Sequence, residues 1–191
     1  MKPNGYAVEL YFDDGTEQRV LEMRRALIEQ GYTTLLDLLE FRPHVSLTVL
    51  SNTDLDRLNT LLLDFSTTVA PFEVRLSAIG AFPTTENVLF LVPAASHALL
   101  ECHRRFHQRL AEIHLESWPY YLPGQWVPHC TIEINIPAER FAAALDFTRR
   151  TFQPLVGRCE AIGVIEFRPV VELATWPLSG AADWAANPLA C

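Results

Sequence analysis

The run Tyr6 to Phe12, apolar but for Glu9, reads as a strand, whose side chains repeat with period 2. From Gly15 to Gln30 the period lengthens. Val20, Met23, Leu27 and Ile28 fall on one side of an amphipathic helix, and Gly31 supplies its stop. A second strand is expected in the run RPHVSLTVL, a second helix from Asp54 to about Phe65, and a third strand from Phe72 to Ile79 leading into a turn at Pro83, Thr84 and Thr85. The same succession then runs again: strand Asn87 to Val92, helix Ser96 to His114, strand Trp126 to Ile136, helix Pro137 to Arg150 and strand Arg158 to Phe167. A final strand, Val170 to Trp176, closes the pattern. Matching landmarks keep a near-constant offset: His44 and His129 stand 85 positions apart, Phe72 and Arg158 86, Asp54 and Pro137 83. Such an offset marks a duplication. The expected fold class is therefore α+β, with duplicated β-α-β-α-β units (about 6–82 and about 87–176) forming two pseudo-symmetric lobes of a single domain, 1–191.

Composition narrows the classes of function. With 191 residues, half of them apolar, the chain is expected to form an ordinary globular core. No run suits a signal peptide or a membrane span, so the expectation is a cytoplasmic protein without a membrane partner. A formal net charge of -8 argues against tracking a long nucleic-acid backbone, a DNA duplex above all; a small substrate or one strand end fits better, bound by a monomer. Positive charge is almost entirely arginine, Lys2 being the single lysine, and arginine grips phosphate bidentately. Cys102, Cys130, Cys159 and Cys191 have no CxxC spacing and are expected to be reduced thiols.

The candidate chemistry lies in the two matching strands, Pro43-His44-Val45-Ser46-Leu47 and Pro128-His129-Cys130-Thr131-Ile132. Strand alternation sends Val45, Leu47 and Val49, and likewise Cys130, Ile132 and Ile134, to the core. It leaves His44, Ser46 and Thr48, and His129, Thr131 and Glu133, on the opposite face. Each imidazole then neighbours a hydroxyl that donates to a non-bridging phosphate oxygen, while the histidine, with an unperturbed pKa near ~6.5, takes or gives a proton. Cleaving a phosphodiester requires both operations, and two imidazoles supply them with no metal and no cofactor.

These motifs, one per repeat, resemble the signature of the two-histidine (2H) phosphoesterases, which include RNA 2',3'-cyclic phosphodiesterases also named 2'-5' RNA ligases. FEVRLSAIGAFPTTENVLFLVP resembles the family's hairpin between the motifs, and the likeness spans nearly the whole chain. It implies two lobes around a central cleft, with His44 and His129 as catalytic acid and base and with Ser46 and Thr131 holding the phosphate. The substrate it implies is a nucleotide or RNA terminus carrying a 2',3'-cyclic or 2'-5' phosphodiester. For opening a cyclic phosphate the assignment leans to His129 as base and His44 as acid. The alternative is a catalytically idle nucleotide or RNA-end binding protein of the same fold.

Other side chains are weighed against blander roles. Arg42, two residues before His44, and Arg168 are possible phosphate contacts. Trp126, Tyr120 and Tyr121 are possible base-stacking surfaces, and the Leu-rich segment Thr33 to Glu40 and the loop bearing Trp118 and Tyr120 are candidate covers for a cleft. Glu133 reads best as a solvated or salt-bridged carboxylate. His103 and His107 share a helix face at i and i+4, but no HExxH glutamate accompanies them, so they read as solvated or core-edge histidines rather than zinc ligands.

Overall fold

Strand β1 (Tyr6–Phe12) runs into helix α1 (Asp14–Glu29), whose first turn is capped by the Asp13 carboxylate accepting from the Thr16 N–H at 3.0 Å. Strand β2 (His44–Leu50), helix α2 (Leu55–Thr68) and strand β3 (Phe72–Ala81) complete the first repeat. The second comprises β4 (Leu89–Pro93), α3 (His97–Glu112), β5 (Cys130–Glu133), α4 (Ala138–Thr151) and β6 (Leu155–Glu166), and the last strand is β7 (Val171–Pro177). Asp54 and Ser96 cap α2 and α3 as Asp13 caps α1. This computed structural model describes residues 5–33, 41–51, 53–167 and 170–185. Lys2, Arg168, Cys191 and all of the Leu-rich segment beyond Thr33 lie outside the described residues.

Every expected element is present in order. β5 is shorter than the expected Trp126 to Ile136, because Pro128 has no N–H for a ladder and Asn135 takes a positive φ of 58° that ends the strand.

The fold is α+β, built on one antiparallel seven-stranded sheet of order β2-β1-β6-β3-β4-β5, with β7 also paired to β6. β1 lies between β2 and β6, and β4 lies between β5 and β3. The third strand of each repeat has thus crossed to the other lobe, and the two crossed strands pair from Phe72↔Cys159 to Leu76↔Leu155. The lobes are therefore not the repeats themselves: each takes two strands from one repeat and one from the other. The end strands β2 and β5 also touch each other, so the sheet curls until the strands bearing the two histidine motifs meet.

All four helices contribute to a single core on the outer face of this sheet, where Val8, Leu10, Val45 and Leu47 of one lobe join Leu89, Leu91, Cys130 and Ile132 of the other. A smaller cluster of Ala7, Val49 and Ile165, covered by Tyr121, Phe167 and Val170, marks the inner face. Among the described residues no helix is long and apolar enough to cross a membrane.

Candidate active site

Strict alternation fails in both motif strands, and at the same place. Val8 pairs with Thr48 and Glu9 with Ser46, leaving Leu47 as an extra residue. In the other lobe Leu89 pairs with Glu133 and Phe90 with Thr131, leaving Ile132 as the extra residue. Each is a β-bulge immediately after the motif hydroxyl, and a bulge reverses the facing of the residues beyond it. Thr48 is consequently fully buried and bonds the Ser117 hydroxyl at 2.7 Å, while Val49 joins the inner cluster instead of the main core. Glu133 shares a face with Leu89 of the main core, not with Thr131 as alternation predicted, and it is fully buried rather than solvated. The cleft face thus receives one imidazole and one hydroxyl per strand. Among the described residues, neither the Ser46 nor the Thr131 hydroxyl bonds another protein group.

The two imidazoles are held alike. Nδ1 of His44 lies 2.8 Å from the carbonyl of Arg42, and Nδ1 of His129 lies 2.8 Å from the carbonyl of Val127. A carbonyl only accepts, so each Nδ1 carries the proton and each Nε2 is the exchangeable position. Burial pushes both imidazoles below their ordinary pKa, His44 to about 4.

A bulge frees carbonyls from the ladder, and here buried donors take them up. Trp126 Nε1 donates to the Ser46 carbonyl at 3.0 Å, and His107 Nε2 donates to that of Leu47 at 3.1 Å. In the other lobe Arg24 of α1 donates to the Thr131 carbonyl at 2.9 Å, and its second terminal nitrogen donates to that of Phe41 at 2.7 Å. Arg24 is only 1% exposed. It ties the segment entering the first motif to the strand of the second. In sequence Arg24 stands four residues after Val20 and four before Ile28, inside the apolar stripe of α1, and a charged residue at such a position is the signal that could have found it.

The surroundings of the two histidines differ. Nε2 of His44 lies 3.2 Å from the Glu9 carboxylate, whose side chain is 3% exposed. Burial raises the Glu9 carboxyl to about 8, against the lowering effect of a hydrogen bond from Tyr11. The equivalent position beside His129 is Phe90, whose ring centroid is 5.4 Å away, and Phe82 meets the imidazole edge-on at 4.9 Å.

The remaining candidates have definite places. Arg42 forms a bidentate pair with Glu17, at 2.6 Å for the shorter contact, and lies 4.1 Å over the Tyr11 ring. Trp126 stacks on His103 at 3.9 Å, nearly parallel, so one face of the indole is occupied. Tyr120, 79% exposed, sits in a single 3-10 turn, Pro119–Tyr121, and Tyr121 beside it packs on the inner cluster. The aromatic loop thus covers part of the inner face of the first lobe. Trp118 anchors it, its N–H bonding the Val49 carbonyl and its indole bonding Ser51. His103 and His107 are buried, and their Nε2 atoms are engaged by the carbonyls of Tyr121 and Leu47. Among the described residues no group of three or more His, Cys, Asp or Glu lies together in a way that would hold a metal ion.

Comparison with known proteins identifies a family and similar folds. The family model of the 2'-5' RNA ligase superfamily matches residues 10–169. No curated protein sequence is significantly similar to the chain. Among solved structures, the fold is similar to TT0787 of Thermus thermophilus at 18% identity and a TM-score of 0.63, covering 92% of this chain and 98% of that one. E. coli LigT complexed with 3'-AMP is similar at 15% identity and a TM-score of 0.58, covering 93% of this chain and 99% of that one. Kluyveromyces marxianus Usb1 is similar at 14% identity and a TM-score of 0.51, covering 90% and 98%.

Proposed function

This chain belongs to the 2'-5' RNA ligase superfamily, a family of phosphodiester-processing enzymes, and we propose that it is a metal-independent phosphodiesterase opening the 2',3'-cyclic, or a related 2'-5', phosphodiester of a nucleotide or RNA end. The observation that carries this reading is the matched pair of motifs on touching end strands, each with Nδ1 locked on a carbonyl and Nε2 left for proton transfer. The nucleotide seen in LigT, a protein of the same fold, supports a nucleotide or RNA terminus as the substrate.

In this reading the Ser46 and Thr131 hydroxyls donate to the non-bridging oxygens of the diester. Nε2 of His129 takes a proton from water as its oxygen attacks phosphorus in line. The P–O bond to one ribose oxygen breaks, and that oxygen takes a proton from Nε2 of His44. The product is a phosphomonoester with one free ribose hydroxyl. Exchange with solvent returns His44 and His129 to their starting protonation.

The test is product analysis of wild type, His44→Ala and His129→Ala with adenosine 2',3'-cyclic phosphate and a 2',3'-cyclic-ended oligonucleotide in EDTA. One 2'- or 3'-phosphate isomer is expected, with turnover falling about 10²- to 10⁴-fold in each variant. Loss of wild-type turnover to chelation, restored by zinc or manganese, would overturn the mechanism. Nucleotide binding with no turnover of either substrate would favour an idle binding protein.

A further inference from the structure

The pseudo-two-fold relation that equates His44 with His129 also equates Glu9 with Phe90, because Glu9 pairs with Ser46 as Phe90 pairs with Thr131. At this one position the lobes differ in kind. One histidine faces a buried carboxyl and the other faces a hydrocarbon ring.

We propose that Glu9 is a positioning residue that breaks the symmetry of the site: by sharing a proton with Nε2 of His44 it makes His44 the acid, leaving His129, against Phe90, as the base. This rests on the proposed phosphodiesterase reaction and adds a structural cause for the roles used there, which the symmetry of the motifs does not provide.

The argument is a proton count. The Nδ1 proton of His44 is committed to the Arg42 carbonyl, so Nε2 presents a lone pair when the ring is neutral. An ionised Glu9 also presents only lone pairs. At 3.2 Å, with the carboxylate side chain 3% exposed, two facing lone pairs repel unless a proton lies between them. The pair therefore holds one proton, as Glu9–OH with neutral His44 or as carboxylate with imidazolium. The values of about 8 for Glu9 and about 4 for His44, both driven by burial, agree with one shared proton across the neutral range.

The groups that face this pair come from every neighbouring element. They are Tyr11 on β1, Arg24 and Glu17 on α1, Arg42 ahead of β2, Tyr121 in the 3-10 turn, Cys130 on β5 and Glu172 on β7. The two arginines and two acids carry opposite charges, leaving the pair's own proton as the one that decides its state. His129 has Phe82 and Phe90 beside its ring, and the charge of His44 further disfavours its protonation.

In the reaction the pair's proton passes from Nε2 of His44 to the departing ribose oxygen as the P–O bond breaks, leaving Glu9 ionised and His44 neutral. The proton of the attacking water goes to His129. The total is conserved, and solvent resets both sites.

The test uses Glu9→Gln and Glu9→Asp in the full chain, with two readouts. Imidazole ¹⁵N NMR titration needs no substrate. Wild-type His44 should show a change at Nε2 on the alkaline side, as the pair loses its proton, that His129 lacks, and Glu9→Gln should abolish that change while leaving the titration of His129 in place. Kinetically, Glu9→Gln should lose about 100-fold in kcat with little change in KM and shift the alkaline limb of the rate profile to lower pH, with partial rescue by Glu9→Asp. If wild-type His44 and His129 titrate alike, the proposal is overturned whether or not either variant folds. It is equally overturned if Glu9→Gln keeps the wild-type profile. If the titrations separate as expected but no cyclic diester is turned over, the proton-sharing pair stands and the proposed reaction falls.

Discussion

Replacing Arg24 should damage both stability and turnover, although no atom of it is in a position to serve as acid, base or hydroxyl. Its guanidinium donates to the carbonyls of Phe41 and Thr131 at 2.7 and 2.9 Å, in a site where the residue is 1% exposed. Hydrogen bonds from a charged donor contribute ~1.5–3 kcal/mol each, and desolvating the guanidinium offsets part of that. Arg24→Met fills a similar volume but leaves both carbonyls dry, and it removes the positive charge felt by buried Glu9 and Glu133. The expected net loss is about 3–5 kcal/mol, the usual cost of breaking a buried charged group's contacts. For a chain of this size that is a fall of roughly 6–20 °C in Tm. Arg24→Lys keeps the charge but not the fork, so it should fall between wild type and Arg24→Met. The Thr131 carbonyl belongs to the residue whose hydroxyl is proposed to hold phosphate, and a misplacement of an ångström costs about 10²-fold in rate. Calorimetry and cyclic-phosphate turnover on the three proteins check both numbers. Arg24→Met melting within about 2 °C of wild type and turning over normally would refute the role of the guanidinium as a tie between the motif segments.

Trp126→Phe keeps the ring stacked on His103 but deletes the donor to the Ser46 carbonyl; it should cost about 1 kcal/mol in denaturant unfolding and a larger share of kcat than of stability. Burial holds His103 at about 4, below its ordinary 6.5, so its stabilising contribution is complete above about 6.5 and is lost as pH falls toward 4. Denaturant midpoints should therefore drop between pH 7 and 5, by up to about 3 kcal/mol over the full range, and His103→Gln should flatten the dependence. Gly157→Ala places a methyl group against the Thr16 side chain and the Asp13 carboxylate that caps α1, and should lower stability by about 1–3 kcal/mol by thermal melt while leaving the cleft unchanged.

Order and type of the elements were legible in the sequence because each strand and helix carries its own period, and the paired motifs were legible because they recur at one offset. The hidden features depend on partners distant in sequence. Glu9 is the one charged residue of the run Tyr6 to Phe12, and its residue type alone reads as solvent-facing. Only the pairing of β1 with β2 and β6, and the roofing of the inner face by the loop through Tyr121, bury it. Glu133 and Thr48 were assigned the wrong face because one inserted residue reverses every later position of the strand, and an aliphatic residue in a bulge looks like any other strand aliphatic. His103 and His107 showed helix spacing but not their acceptors, since the carbonyls of Tyr121 and Leu47 come from segments far away in the chain. Crossing of the third strands was equally invisible: β3 and β6 have the same pattern whichever lobe they join.

The twin bulges explain why so many buried donors surround a cleft with so few cleft-facing groups. Without them Thr48 and Glu133 would accompany Ser46 and Thr131 into the cleft, and Glu133 would set a carboxylate beside an anionic substrate. Turning them inward leaves the cleft its imidazole and hydroxyl but strands carbonyls at Ser46, Leu47 and Thr131, which cost free energy when buried unpaired. The lobes meet this demand differently. One draws on neutral ring N–H groups from Trp126 and His107, the other on the charged fork of Arg24. Positive charge therefore lies behind the second motif and the Glu9 carboxyl lies beside the first. The asymmetry of the two histidines thus extends past Glu9 into the supports of the strands, and a chain with two matching motifs arrives at two inequivalent proton sites. Exchanging the supports alone, without altering any histidine or hydroxyl, should change how the two imidazoles titrate, and ¹⁵N titration of Arg24→Lys is the simplest measurement of that coupling.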